Sequence, residues 1–270
     1  MLLGGMDRVN IDLREGLAEV PGGLPTFASA GLEERAMAIG AIASDSYDYL
    51  ADLLGFRPQA QVLVVSDADW PKVTEVPLYG LPNASNGTLV VAGTEAPFWS
   101  SFVEMAGPGG EAELATAYGD SDGVIRLGPF MDLIAVHEVA HLFHEGSQHF
   151  PRLWLQELFA NVALHAWVAE RAPNQLTTLL TLPRLGATAS PETFECRTRD
   201  DFERRYITMG GPNYVWYQFR LQLEAAALYD RAGSAVVRRL FEAFRLDDAA
   251  LARRLDVDVD PGLAVFSLAF

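Results

Sequence analysis

The sequence is poor in cysteine, in positive charge and in long apolar runs, and each shortage excludes a class of protein. Its single cysteine, Cys196, excludes an internal disulfide framework and any zinc site built from cysteines. A formal net charge of −16 at pH 7 argues against nucleic acid or an anionic membrane as a partner, because both require a basic surface. No apolar run approaches the roughly 20 residues that span a bilayer, and the first residues do not follow the pattern of a secretory signal. The sequence therefore predicts a cytoplasmic protein that contacts neither membranes nor nucleic acid.

Helical and strand patterns alternate in the first half of the chain. Apolar residues recur at helical spacing from Leu32 to Leu54, and residues 97–106 show the same spacing. Three β-rich segments bounded by turn residues, 59–66, 87–93 and 123–128, predict strands. The first half is therefore predicted to be mixed α and β.

The second half is helical in almost every segment after Pro129. Helical spacing extends over four long segments and one short turn: 131–144, 151–171, 214–229, 235–244 and 249–254. Residues 172–195 are rich in Pro, Thr and Ser and predict a long connection. With 270 residues and no internal repeat, the chain has the size of one large domain or two small ones.

The segment AVHEVAHLFHEG, residues 135–146, places two histidines four residues apart with a glutamate after the first. On a helix His137 and His141 lie on one face, where both imidazoles reach a single ion. Glu138 is turned by about 100° from His137, which places it to contact a metal-bound water and not the metal. An ordinary buried helix explains the segment less well, because an ionised glutamate among apolar residues is costly unless a cation compensates it. The pattern indicates a zinc site with Glu138 as general base.

A catalytic zinc site has a third protein ligand and keeps one position for water. The metzincin pattern places a glycine three residues and a histidine six residues after the second ligand, where this chain has His144 and Ser147. That pattern is therefore excluded. His144 and His149 fit better as solvated groups, or as hydrogen-bond partners of a ligand, than as ligands themselves.

Glu157 is the candidate for the third ligand. It lies in the apolar segment PRLWLQELFANVALHAW, residues 151–167, which is an unfavourable place for an unpaired carboxylate. Gly146 is suited to ending one helix and Pro151 to beginning the next, so the two helices should return antiparallel and bring Glu157 beside the histidines. Asn161, one turn further on, is either a hydrogen-bond partner of a ligand histidine or an ordinary, partly buried asparagine.

The segments HEVAH and WLQELFAN together resemble the gluzincin metallopeptidases, in particular the aminopeptidase N-like group. That group has an HExxH motif followed by a W-L-x-E-x-F-A segment. The resemblance implies one Zn²⁺ per chain, bound by His137, His141 and Glu157. It also implies that Glu138 activates water for the hydrolysis of peptide or protein substrates.

The resemblance, with the predicted elements, implies an α+β fold with a zincin-like catalytic domain. The N-terminal α/β part, residues 1–146, would contain a small sheet and end in the HExxH helix. The C-terminal part, residues 147–270, would be helical and carry the third ligand. We expect the zinc cleft between the two parts, and we expect GTLVVAG, residues 87–93, either to be the edge strand that pairs with an extended peptide or to be an ordinary sheet strand.

A second, weaker resemblance covers residues 210–234. In the family a tyrosine that opens a helix in this region donates a hydrogen bond to the tetrahedral oxyanion. Tyr214 occupies that place, after GGPN, and a phenol suits the role because it stays protonated at neutral pH. Tyr217 and Tyr206 are alternative donors, and a tyrosine of the core or of an interface is the other interpretation of Tyr214.

The sequence departs from the family in the segment that captures a free amino terminus. The family's G-x-M-E-N motif is not recognisable, and the nearest stretch, residues 82–93, has Ser85 where an acid is expected. We therefore expect zinc-dependent peptide-bond hydrolysis without a requirement for a free amino terminus. An inactive zinc-containing module that binds peptides and a hydrolase of a non-peptide bond are the alternatives.

Overall fold

The computed structural model of the chain describes residues 13–106, 109–145 and 152–254. Within these residues a small mixed sheet comes first along the chain, and most of the helices follow it. The strands are β1 (Ala18–Val20), β2 (Thr26–Ala28), β3 (Gln61–Val65), β4 (Asn83–Ser85) and β5 (Thr88–Ala92). This arrangement confirms the predicted α+β class.

The sheet has the strand order β1-β2-β3-β5-β4. Strands β2, β3 and β5 run parallel, and the outer strands β1 and β4 run antiparallel to their neighbours. The central strands QVLVV and TLVVA are nearly continuous apolar runs because both faces of the sheet are covered. One face packs on helices, and Trp70 helps to cover the other.

The outer strand next to β5 is β4. Strand β5 lies between β3 and β4, so of the two expectations for residues 87–93 the edge strand is wrong and the ordinary sheet strand is confirmed. Asn86 and Gly87 join β4 to β5 with φ values of 50° and 77°, which fits the two-residue hairpin turn typical of Asn-Gly. Because this turn folds β4 back along β5, β4 is the outer strand and β5 lies inside the sheet.

The helices within the described residues form most of the fold. They are α1 (Glu33–Leu54), α2 (Trp70–Val73), α3 (Ser100–Met105), α4 (Glu111–Tyr118), α5 (Gly128–Glu145), α6 (Leu153–Arg171), α7 (Leu176–Gly186), α8 (Arg199–Arg205), α9 (Gly211–Ala232), α10 (Ala235–Ala243) and α11 (Asp248–Arg254). Every helix predicted from the sequence is present, with ends displaced by up to one turn. The predicted helix end at Gly146 and helix start at Pro151 lie outside the described residues.

Two of the predicted elements are wrong. Residues 123–128 contribute only an isolated bridge between Gly119 and Ile125, because the Asp120 carboxylate accepts the backbone N–H groups of Asp122 and Val124 and closes a turn. Residues 172–195 contain helix α7, whose leucines are buried against α9. Burial of that apolar face outweighs a local composition that favours a loop.

Helix α6 lies at the centre of the helical part. It contacts α5, α9, α10 and α8, and almost every residue from Trp154 to Val168 is buried. A helix that is apolar on all sides is stable only when it is surrounded, so the packing explains its composition. The polar residues Glu157, Asn161 and His165 within this stretch therefore lie in the interior. Among the described residues, no helix has both the length and the apolar character needed to cross a membrane.

Candidate metal centre

Helix α5 carries the HEVAH segment into the wall of a cavity. The helix packs between α1, α6 and the sheet, which accounts for its apolar sequence. A bidentate ion pair between Arg35 of α1 and Asp132 holds its first turns, with 2.7 Å between Arg35 Nη1 and Asp132 Oδ2. His137 is buried, and Glu138 and His141 are partly buried in the cavity wall. All three polar side chains therefore enter the same, largely apolar surrounding.

Helix α6 brings Glu157 to the two histidines. The Nε2 atoms of His137 and His141 are 3.0 Å apart, and Glu157 Oε2 lies 3.2 Å from the first and 3.8 Å from the second. A tetrahedral zinc ion bonded at about 2.0–2.1 Å separates its ligand atoms by roughly 3.3 Å. The three atoms thus form a triangle of the size that one ion requires. The structure brings together the three residues predicted as ligands.

A second combination of side chains also lies close enough to bind an ion. The ligand atoms of His137, Glu138 and His141 all lie within 4.8 Å of one another, so this group could hold a metal ion. The carboxylate of Glu157 fits the third position better, because a single oxygen approaches both imidazoles to within 3.8 Å. Both sets share the two histidines, and they differ in whether Glu157 or Glu138 supplies the carboxylate.

The charges of the buried groups favour a cation. Burial acts to lower the pKa of His141, but the carboxylates of Glu157 and Glu138 outweigh burial and raise that pKa to about 9. Burial acts to raise the pKa of Glu157, but His141 and His137 outweigh it and hold that pKa well below its usual range. An ionised carboxylate is thus retained in the interior by positive charge, which a metal ion would supply when the imidazoles are neutral.

Glu138 occupies a different environment from Glu157. Burial raises the pKa of Glu138, and the imidazoles of His141 and His137 act in the opposite direction. The backbone N–H of Ala84, on the edge strand β4, donates a hydrogen bond to the Glu138 carboxylate. A carboxylate with a raised pKa next to a metal site is suited to take up a proton and give it back.

Two neighbours hold the Glu157 side chain in place, and a third orients one of them. The Tyr206 hydroxyl donates to Oε1 at 2.7 Å, and Gln218 Nε2 donates to Oε2 at 2.6 Å. Asn161 Nδ2 donates to Gln218 Oε1 at 3.0 Å and to the Glu157 carbonyl oxygen at 2.8 Å. Asn161 therefore fixes the orientation of the Gln218 amide, so that its nitrogen points toward Glu157.

The three candidate tyrosines have different partners. The Tyr217 hydroxyl donates to the Thr198 carbonyl oxygen at 2.7 Å, and Tyr217 is not among the described residues that line the cavity. The Tyr206 hydroxyl donates its hydrogen bond to the Glu157 carboxylate. Tyr214 lines the cavity, accepts a hydrogen bond from Gln218 Nε2 at 2.7 Å and donates its own proton to the Tyr206 hydroxyl. To act as an oxyanion donor, it would have to turn that proton from Tyr206 to the substrate oxygen. Burial, followed by the negative charge of Glu157, raises the pKa of Tyr214 well above its usual value and keeps it protonated.

The remaining polar candidates differ from the sequence-based expectations. His144 is buried and its Nε2 forms a hydrogen bond with Nδ1 of His141, a predicted ligand, so the expected solvated position is wrong. Asn161 is buried and donates to Glu157 and Gln218. Among the described residues it bonds no histidine, so neither the histidine partner nor the partly buried position expected for it is found. His149 lies outside the described residues.

Gln218 is a candidate site residue that the sequence did not indicate. It contacts the proposed ligand Glu157 and the hydroxyl of Tyr214 through one nitrogen. The available signal was its position four residues after Tyr214, which places both on one face of the helix. A glutamine carries no motif of its own, so the spacing becomes informative only when the role of Tyr214 is considered.

The cavity beside the site has a volume of about 880 Å³, within the range of pockets that bind small ligands. One wall is apolar and continues along α5 from the histidines. It includes Phe98, Phe102, Phe130, Met131, Ile134 and Phe219. The carboxylates of Glu104 and Glu145 also line the cavity, whereas no lysine or arginine does so in the described part of the chain. The cavity is thus suited to apolar or cationic groups and unsuited to anions.

Comparisons with family models, with curated proteins and with solved structures gave no match for this chain. The resemblance to the gluzincins therefore depends on the motif residues and on their geometry.

Proposed function

We propose that the protein is a gluzincin-type zinc metallopeptidase with a zincin-like catalytic domain. The observation that carries the proposal is the triangle of His137, His141 and Glu157 ligand atoms, with separations of 3.0–3.8 Å, at the wall of a cavity. Two imidazoles and one carboxylate are a ligand set typical of hydrolytic zinc sites, which keep a further position for water. Glu138 lies beside this set, where a general base is needed.

In the proposed reaction each residue of the site has a different role. Bound zinc would lower the pKa of its water and polarise the carbonyl of the substrate. Glu138 takes the proton of the attacking water and passes it to the leaving amine. Tyr214 donates its hydroxyl proton to the oxygen that becomes negatively charged. Gln218 and Tyr206 keep Glu157 in place during these steps.

The edge strand supports a peptide as the substrate. Among the described residues strand β4 is paired on one side only, with β5, and Asn83 and Ala84 line the cavity. The Ala84 N–H points away from β5 toward Glu138. An extended peptide can add to such an edge through backbone hydrogen bonds to groups of β4 other than the Ala84 N–H, which Glu138 accepts, and its side chains would then contact the walls of the cavity. A peptide added in this way would have a peptide bond near the Glu138 carboxylate.

The test is metal analysis combined with turnover on a peptide pool. We expect about one zinc per chain by atomic emission and cleavage of peptides by mass spectrometry, with the Glu138→Gln variant retaining zinc and losing cleavage. A retained metal with no turnover on peptides would contradict the proposal. That result would favour a peptide-binding module, or hydrolysis of a non-peptide bond, which assays on ester and epoxide substrates would distinguish.

A further inference from the structure

One buried glutamine in the cavity wall has no partner in the described part of the chain. Gln222 is 3% exposed, and neither its Nε2 nor its Oε1 has a hydrogen-bond partner among the described residues. One turn earlier on the same helix, Gln218 is satisfied at both ends of its amide. A buried amide without partners lowers stability, and an apolar side chain of similar size would avoid that cost. The presence of a glutamine at this buried position is therefore not explained by a contribution to stability.

The position of Gln222 links it to the cavity beside the metal centre. Tyr214, Gln218 and Gln222 follow one another at intervals of four residues, so they lie along one face of α9, and all three line the cavity. At 1.5 Å of rise per residue, Gln222 is about 12 Å along the helix from Tyr214. A group that contacts Gln222 while its backbone lies at the metal centre must be long.

The surroundings of Gln222 define which kind of group fits. Val215 and Phe219 flank this stripe of α9, and Phe219 packs against Phe102 with 6.4 Å between ring centroids. The wall continues with the aromatic ring of Phe130 and with Ile134 of α5. Aromatic rings pack well against such a wall, and its apolar character disfavours a charged group. Gln222 adds one donor and one acceptor to an otherwise apolar lining.

We propose that Gln222 makes this part of the cavity a binding subsite for a tyrosine side chain of the substrate, next to the bond that is cleaved. The phenol ring packs against the aromatic wall, and its hydroxyl donates to Gln222 Oε1 or accepts from Nε2. A phenylalanine fits the same space but leaves the amide without a partner, so it binds less well. This inference rests on the proposed peptidase function.

The first test compares paired peptides, acetylated at the amino terminus and identical except for one tyrosine or phenylalanine. We expect the zinc-loaded protein to cleave beside the tyrosine with at least about tenfold higher kcat/KM than beside the phenylalanine. In Gln222→Met the ratio should fall to about one. Thr181→Val is the matched control, because Thr181 is a buried polar residue that bonds Thr177 and is not among the described residues lining the cavity. This variant should keep the ratio of kcat/KM between the tyrosine and phenylalanine peptides.

The second test concerns stability and needs no catalysis. Gln222→Met should raise the melting temperature, because it removes an unsatisfied buried amide from an apolar surrounding. A lower melting temperature would show that Gln222 has a structural partner and would overturn the proposal. An equal ratio for tyrosine and phenylalanine in the unaltered protein, or the same ratio in Gln222→Met, would overturn it as well.

A third measurement separates this inference from the proposed function. Binding of the two peptides to the zinc-loaded Glu138→Gln variant is measured by calorimetry, with and without Gln222→Met. Selective binding of the tyrosine peptide that depends on Gln222 supports the subsite even if no peptide is cleaved by the unaltered protein. Cleavage of peptides without such selectivity, or no measurable binding of either peptide, overturns the subsite.

Discussion

Gln218 Nε2 donates a hydrogen bond to Glu157 Oε2 at 2.6 Å and a second one to the Tyr214 hydroxyl at 2.7 Å. A single amide thereby connects a proposed metal ligand on α6 with the proposed oxyanion donor on α9. Because Asn161 holds the amide oxygen, the nitrogen keeps this orientation. The contact explains why both groups can occupy defined positions in a cavity that is otherwise largely apolar.

Replacing Gln218 should therefore affect metal binding and catalysis together. We expect Gln218→Leu to weaken zinc binding by about 10- to 100-fold, measured by competition with a chelating dye, because Glu157 loses a charge-assisted hydrogen bond. At saturating zinc, kcat should still fall, because Tyr214 loses the group that orients it. Combining the change with Tyr214→Phe should add little further loss in kcat, and full additivity would refute the coupling.

Changes at the ligands should separate metal binding from proton transfer. Alanine at His137, His141 or Glu157 should reduce zinc affinity severely and lower the melting temperature of the zinc-loaded protein, because the ion joins two helices. Glu138→Gln should keep close to one zinc per chain while hydrolysis falls by several orders of magnitude. Atomic emission on the four variants decides the assignment. Loss of zinc from Glu138→Gln, or its retention by Glu157→Ala, would contradict the proposed division between ligands and base.

The hydroxyl of Tyr214 should contribute to the rate and not to metal binding. We expect Tyr214→Phe to lower kcat by about 10²- to 10³-fold with nearly unchanged zinc content and KM. Tyr217→Phe is the matched control: its hydroxyl bonds the Thr198 carbonyl oxygen, so its loss should lower stability by about 1 kcal/mol and leave kcat unchanged. If Tyr214→Phe keeps full activity, Tyr206→Phe is the next variant to measure.

The cleft should accept peptides with a blocked amino terminus. Residue 85 on β4 is a serine, where the resembling aminopeptidases have an acid. The ammonium group of a substrate would therefore have no carboxylate partner at this position. Acetylated and free forms of one peptide should be cleaved with similar kcat/KM. A strict requirement for the free amine would point to Glu104, which lines the cavity, and Glu104→Gln should then abolish it. Glu95 is a weaker candidate because it pairs with Arg126 at 3.5 Å.

Low pH should destabilise the start of α8, the helix that precedes Tyr206, whose hydroxyl bonds Glu157. Asp201 and Thr198 form a capping box at the start of α8, and hydrogen bonds from the Arg197 backbone N–H and from Thr198 lower the pKa of Asp201 to about 2. Its folded pKa is depressed, so its stabilising contribution is complete above about pH 4 and is lost as the pH falls toward 2.

Replacing Asp201 tests this capping box directly. Asp201→Ala should cost about 1 kcal/mol at neutral pH, measured by urea unfolding, and should reduce the pH dependence between pH 4 and 2. Thr198→Val should also destabilise the helix start but should retain that pH dependence, since Asp201 keeps its backbone donors. An Asp201→Ala variant with the unaltered pH profile would contradict the assignment.

The local sequence pattern was sufficient to predict the features that depend on a single segment, namely the helices and the candidate residues within them. The spacing of His137 and His141 predicted a shared helical face, and the isolated carboxylate of Glu157 predicted a buried partner. Helix periodicity placed α1, α5, α6 and α9, because an apolar stripe must be buried whatever its partner is. These inferences need only the geometry of one helix and the cost of burying a charge.

Only the tertiary structure decided which segments meet. The order of the strands depends on hydrogen bonds between distant segments, so the sequence could not show that β4 and not β5 is the edge. Helix α7 exists because its leucines are covered by α9, a contact that local composition does not contain. Gln218 and Gln222 carry no motif, and their different surroundings on one helix face arise from what packs against each of them. Propensity and periodicity act within a segment, whereas burial and hydrogen-bond satisfaction depend on all segments that fold together.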